Sequence, residues 1–271
     1  MLGVRVRFRF PLAVVCLSLL AAVFAAAESS GTSLPTPVQV FVLAGQSNML
    51  GRGMPISTGA PSDPRLLVWR KDGWHVAVDP LGDPTNKANG VGPGMTFGLG
   101  AIKDLDPQTV GLVQCAVSGT TISKWSPPHS VFTNCISQVR SAGGHIDGIL
   151  FLQGESDASN KDDASKWAER FRIVLTAFRT DLGSGIPMVI GQIGRLSGFP
   201  YQQTVRDQQA KAASSNPGVS MITTLDLKMG SDGVHFTVGS YKTIGTRFAT
   251  AWWALRRILR PRDLTASSLR S

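Results

Sequence analysis

Five times along the chain a block of apolar and β-branched residues ends abruptly in glycine or polar residues. The blocks are Val38–Leu43, Thr109–Val117, Ile146–Leu152, Pro187–Ile193 and Val219–Thr223. Each reads as a strand buried on both faces, which needs a continuous apolar run rather than strict alternation. Between and after them lie stretches of helical character, at Pro93–Ile102, Ser130–Ala142, Lys161–Leu182, Pro200–Ser214 and Val238–Leu259. In Lys161–Leu182 the apolar positions Trp167, Phe171, Val174, Leu175 and Phe178 recur at helical spacing, marking a core-facing stripe. Strands alternating with helices predict parallel pairing through crossovers, hence an α/β fold: a three-layer α/β/α sandwich with a five-stranded parallel sheet. One segment stands apart. Leu66–Val78 reads as a hairpin closed at Asp72-Gly73, within a long Pro-, Gly- and Asp-rich stretch. Its Trp69 and Trp74 suit hairpin packing, with stacking on a sugar as the alternative.

In such sheets ligands bind beyond the carboxyl ends of the strands. The first strand runs into Gly45-Gln46-Ser47-Asn48-Met49. A serine there either presents its hydroxyl to a cleft or caps a helix, a role that Ser and Asn both fill well. Ser231-Asp232-Gly233-Val234-His235 decides between them, because it stands after the last strand and just before the final helix. Asp232 and His235, three residues apart across a glycine, can pair so that the carboxylate holds one ring nitrogen. The other nitrogen is then left to deprotonate Ser47. Acyl transfer also needs hydrogen-bond donors for the oxyanion. Candidates are the backbone N–H of Ser47, the backbone N–H of Gly119 and the side-chain amide of Gln153, each following a strand. Asn48 and Glu155 are candidates for substrate binding or for orienting their neighbours, since an ionised carboxylate accepts but does not donate.

Composition adds a compartment. Arg5, Arg7 and Arg9, the apolar run Pro11–Phe24 and Ala25-Ala26-Ala27 form the pattern of a secretory signal peptide over residues 1–27, too short an apolar run to span a membrane comfortably. An uncleaved anchor is the alternative. Residues 28–271 then form a single α/β domain with a basic C-terminal tail, secreted to the extracellular space or cell wall. Cleavage removes three of the arginines behind the net charge of +9. The tail's remaining charge suits a solvated helix end, or loose attraction to acidic polymers. No nucleic-acid-binding motif is present. Cys115 and Cys135 are either a disulfide, as an oxidising compartment permits, or two buried thiols. The four histidines lack metal-ligand spacing, so neither a metal nor another cofactor is expected.

Taken together, Gly45-Gln-Ser-Asn-Met49, Gly92-Pro-Gly94, Ser118-Gly-Thr120, Gln153-Gly-Glu-Ser-Asp157 and Asp232-Gly-Val-His235 resemble the blocks of the SGNH-hydrolase superfamily. The closer likeness is to its sialate O-acetylesterase-like branch, carbohydrate esterase family 6, including plant members, over roughly Val38–Ala254. That resemblance implies a flavodoxin-like sandwich and metal-independent removal of O-acetyl groups from carbohydrate through an acetyl-enzyme. It places Ser47 as nucleophile, His235 as base, Asp232 as its partner, and Gly119 and Gln153 at the oxyanion positions. Two departures stand out: Gln153-Gly-Glu replaces the superfamily's Gly-x-Asn-Asp, and Ser118 precedes Gly119 where a second glycine is usual. The expected partner is an acetylated sugar or cell-wall polysaccharide, met by a monomer with no membrane span after signal cleavage. The competing readings are a non-catalytic carbohydrate-binding protein on the same fold and an esterase for small acyl esters.

Overall fold

A computed structural model of the chain describes Gly3, Leu34, residues 36–37, 39–105 and 108–259. The sheet is built on β1 (Gln39–Gly45), buried along its whole length. The pleat sends Val40, Val42 and Ala44 to one face and Phe41 and Leu43 to the other. The remaining strands are β2 (Leu66–Arg70), β3 (Gly73–Val76), β4 (Val110–Gln114), β5 (Ile146–Leu152), β6 (Met188–Gly191) and β7 (Val219–Ile222). Their spatial order is β3-β2-β4-β1-β5-β6-β7. The five predicted strands are β1 and β4 to β7. They take the order 2-1-3-4-5 of the flavodoxin-like sandwich, with the crossover direction reversing beside β1.

The sheet has seven strands rather than five, because the predicted hairpin joins its edge. Leu66, Leu67 and Val68 are buried, so β2 can pair parallel with β4 while β3 folds back antiparallel. Arg70 pairs with Gly73, which places the two-residue turn at Lys71-Asp72, one position before the predicted turn.

The helices are α1 (Ser47–Leu50), α2 (Gly94–Leu105), α3 (Ser130–Ala142), α4 (Lys161–Ser165), α5 (Trp167–Leu182), α6 (Gln202–Ser215) and α7 (Val238–Leu259). On one face of the sheet α3, α5 and α6 bury Phe132, Phe171, Phe178 and Val205. On the other, α2 and α7 bury Phe97, Ile244, Phe248 and Trp252, and Phe41 meets Phe97 and Trp252 edge-on at 4.8 Å each. The single helix predicted over Lys161–Leu182 is two, because the backbone leaves helical geometry at Lys166 (φ −97°, ψ 5°). The stripe from Trp167 to Phe178 is buried as its spacing required.

Cys115 and Cys135 are bonded, with Cα atoms 5.2 Å apart, so the disulfide pins α3 to the residue after β4. The described residues from Leu34 onward belong to one compact unit, and Met1–Ser33 fall outside it. Of the latter only Gly3 is described, so the signal-peptide reading lies outside the described residues. Among those residues no helix is long and apolar enough to cross a membrane.

Candidate active site

Gly45 ends β1 in a conformation (φ +134°) that L side chains rarely adopt. A Cβ on it would lie 2.0 Å from the Leu152 carbonyl oxygen. The chain therefore turns tightly against the end of β5, where Gln46 N–H donates to Leu152 O at 3.0 Å. Gln46 takes the N-cap position of α1 without a side-chain cap bond, and Ser47 is the first helical residue. The helix-capping alternative for Ser47 and Asn48 is thereby set aside. The Ser47 hydroxyl instead meets His235 Nε2 at 2.9 Å.

The His235 loop is shaped by its own carboxylate. Asp232 Oδ1 accepts from the backbone N–H groups of Val234 and His235, both at 2.9 Å. Asp232 Oδ2 lies 2.6 Å from His235 Nδ1. Gly233 at φ +67° closes the turn, and a Cβ there would meet Ser197 at 2.6 Å. Partial burial works against the Asp232 charge, but those two N–H groups and the imidazole outweigh it and bring the carboxyl down to about 2. Asp232 is thus ionised at neutral pH, and one hydrogen bond joins Ser47 to His235, 188 positions apart in the sequence.

Asn48 is fully buried and joins this loop to the third-strand motif. Its Nδ2 donates to Glu155 Oε1 at 2.5 Å and to Val234 O at 3.0 Å. Its Oδ1 accepts from Phe236 N–H at 3.3 Å and from the Tyr241 hydroxyl at 2.7 Å. All four hydrogen-bonding positions of the amide are filled, three of them by the chain on either side of His235 and by α7. Asn48 and Glu155 therefore orient; neither turns its polar atoms to solvent. Glu155 is 1% exposed, and burial raises its carboxyl above the usual range against the opposing Asn48 bond.

Of the three oxyanion candidates, the structure leaves two open. The N–H groups of Ser47 and Gly119 donate to no acceptor among the described residues. Ser47 gains this from its place in the first helical turn, where backbone donors lack intrahelical partners. Gly119 holds φ +71°, while Ser118 keeps a negative φ, so only one glycine is needed there. Gln153 is different. It is fully buried, and its Nε2 is within reach of Thr120 O (2.9 Å), Asp157 Oδ2 (2.5 Å) and Gln46 Oε1 (3.2 Å). Its Oε1 accepts from Trp167 Nε1 at 2.9 Å. With three acceptors already around two hydrogens, the amide has no donor left for an oxyanion. It ties the Gly119 loop to the Gly45–Ser47 turn from beneath.

Several residues of this network escaped the sequence reading. Asp157 accepts from Ile122 N–H (3.1 Å) as well as Gln153, and burial raises it to about 7. Gln46 Oε1 collects Gly154 N–H and Ser156 N–H. Arg52 donates to Ala88 O at 2.5 Å, to Asn89 Oδ1 at 3.1 Å and to Ser118 Oγ, holding the Gly119 loop from the solvent side. Tyr241 carried no signal beyond its place in the first turns of the closing helix. A cavity of about 510 Å³ opens beside Asp232 and His235, walled by Arg52, Met54, Thr58 and Thr237. No group of three or more His, Cys, Asp or Glu among the described residues comes together to hold a metal.

A family model described as carbohydrate esterase, sialic acid-specific acetylesterase, matches residues 37–254. The chain belongs to this family. A relative from Arabidopsis thaliana, named "Probable carbohydrate esterase", is 31% identical over 241 residues, covering 80% of this chain and 90% of the relative. The X-ray structure of that Arabidopsis protein has a TM-score of 0.75 at 28% identity, covering 80% of this chain and 98% of its own. NanS (TM-score 0.64, 15% identity, 83% of this chain and 100% of its own) shares the fold. So does a carbohydrate acetylesterase from Xanthomonas citri (0.61, 17%, 78% of this chain and 54% of its own). Family membership makes the chain a carbohydrate esterase, acting on ester bonds.

Proposed function

We propose that the protein removes O-acetyl groups from a carbohydrate through an acetyl-enzyme on Ser47. The observation that carries this reading is the continuous path from Asp232 Oδ2 to His235 Nδ1 (2.6 Å) and from His235 Nε2 to Ser47 Oγ (2.9 Å). In the first half-reaction Ser47 Oγ attacks the acetyl carbonyl carbon while His235 Nε2 takes the hydroxyl proton. The carbonyl oxygen becomes an oxyanion held by the N–H groups of Ser47 and Gly119. The ester C–O bond then breaks, and His235 returns its proton to the departing sugar oxygen. In the second half-reaction His235 deprotonates a water that attacks the acetyl-Ser47 carbonyl, and acetate leaves as the serine regains its proton. Asp232 stays ionised and fixes the ring tautomer throughout.

The substrate in this reading is an acetylated sugar unit, with cell-wall polysaccharide as the polymer. All three triad residues come from one chain, which fits a monomer acting alone. Secretion rests on the N-terminal pattern, and the Cys115–Cys135 bond is of the kind that persists in oxidising compartments. The test is acetate release from acetylated xylan, acetylated pectin and an aryl acetate, with Ser47→Ala alongside. Release abolished by the substitution supports the reading. Release that survives in Ser47→Ala, or no release from any ester while sugar binding persists, overturns it.

A further inference from the structure

Away from the triad, the hairpin that widened the sheet leaves a tryptophan partly uncovered. Trp69 follows Val68 on β2 and leans on Trp74 edge-on at 5.4 Å. Trp74 is 4% exposed and donates its indole N–H to Ala142 O, so it is a core residue. Trp69 is only half-buried. The reason lies in α3. Its apolar residues Phe132, Cys135, Ile136 and Val139 face the core, whereas Asn134, Ser137, Gln138 and Ser141 line a groove shared with Trp69. Together with Lys71 these side chains enclose a groove of about 470 Å³. A second cleft of about 490 Å³ shares Ser137 and Ser141, so the depression continues along the helix.

We propose that this groove is a binding subsite for a pyranose unit of the carbohydrate chain, with Trp69 as its stacking platform. An aromatic face flanked by single hydrogen-bonding groups matches a sugar, which offers an apolar C–H face and a rim of hydroxyls. The polar rim is available. Lys71, Asn134, Ser137 and Ser141 make no side-chain hydrogen bond or ion pair among the described residues, and Gln138 makes one, to Gln114 O at 3.4 Å. A protein partner would instead need apolar anchors around the ring, and none of the exposed large hydrophobic residues lines the groove. One end of the groove also reaches the edge that carries Ser47. Gln138 reaches the end of β4, the strand that leads into the Gly119 loop, and Gln114 Nε2 in turn donates to Met49 O beside the nucleophile at 3.4 Å.

This subsite rests on the carbohydrate-esterase reading but is tested apart from it. In a Ser47→Ala background, retardation in native gels containing acetylated xylan or acetylated pectin reads binding without catalysis. Adding Trp69→Leu, or separately Asn134→Ala with Ser137→Ala, is expected to weaken retardation about fivefold. In the active enzyme the same changes raise KM for the polymer by a similar factor and leave kcat and aryl-acetate turnover unchanged. The helix-surface pair keeps the test valid should Trp69→Leu fail to fold. Unchanged retardation and unchanged polymer KM in the helix-surface pair overturn the proposal, as does absence of retardation by either polymer in Ser47→Ala itself. Loss of aryl-acetate turnover in step with polymer turnover also overturns it.

Discussion

Replacing Asp157 by asparagine should stabilise the protein at alkaline pH and not at acid pH. Asp157 is fully buried beneath the Gly119 loop, and burial, aided by the nearby Asp163 charge and opposed by Gln153, Ile122 and Arg170, lifts its carboxyl from 3.8 to about 7. An acid whose pKa rises on folding binds more protons in the native than in the unfolded state between those values. Stability therefore falls as pH rises through that window, and the deficit is complete above it. A shift of about three units corresponds to ~4 kcal/mol. Asparagine keeps a neutral oxygen for Gln153 Nε2 and Ile122 N–H, whose preference for the charged acceptor is already contained in that net shift. The gain above neutrality is then up to ~4 kcal/mol, disappearing near the ordinary carboxylate range. Urea midpoints of both proteins at about pH 5 and about pH 8, with the disulfide intact, measure it. Asp79, raised to about 6 by burial, and Glu155 slope both curves equally, so the difference isolates Asp157. A difference that does not change with pH, or destabilisation at the higher pH, would refute the reasoning.

Three further outcomes follow from the same geometry. Asn48→Ala strands Phe236 N–H, Val234 O, the Tyr241 hydroxyl and Glu155 Oε1 in a buried site. It should cost about 3–5 kcal/mol in chemical unfolding and lower kcat by about 10–100-fold as the His235 loop loosens; a loss below about 1 kcal/mol contradicts the role given to Asn48. Cys135→Ser opens a cross-link spanning 20 positions, and the urea midpoint should fall by the equivalent of about 2–4 kcal/mol, whereas an unchanged midpoint would show that the bond adds nothing. Turnover of an aryl acetate should fall by about 10²–10⁴-fold in His235→Ala, because the group that accepts the serine proton is lost. Undiminished turnover in His235→Ala speaks against His235 as base.

The elements that the sequence announces most plainly are those whose signal is local. The bounds of α3, β5 and α7 follow from local patterning, helical spacing for the helices and a continuous apolar run for the strand. The meeting of Ser47, Asp232 and His235 was legible for a different reason, since Asp232 and His235 sit three apart and the order of strands sends them to the edge that carries Ser47. What escaped depends on contacts between distant segments. No proline or glycine marks the break at Lys166, and beyond it the Trp167 indole is bonded to Gln153 across the fold. Gln153 occupies an oxyanion position in the motif pattern, yet its burial among Thr120, Asp157 and Gln46 gives its amide other partners. Whether β2 pairs with β4 or stands as a free hairpin depends on the empty sheet edge, which no property of Leu66–Arg70 reveals.

The central claim is that Ser47 is the nucleophile activated by His235. The most direct measurement is labelling with an aryl phosphonate directed at activated serines, located by peptide mass spectrometry in the wild type, in Ser47→Ala and in His235→Ala. The account predicts one phosphonylated site, at Ser47, absent from Ser47→Ala and formed far more slowly in His235→Ala. Acetate release by a wild-type protein that stays unlabelled, or label on a residue other than Ser47, would contradict it.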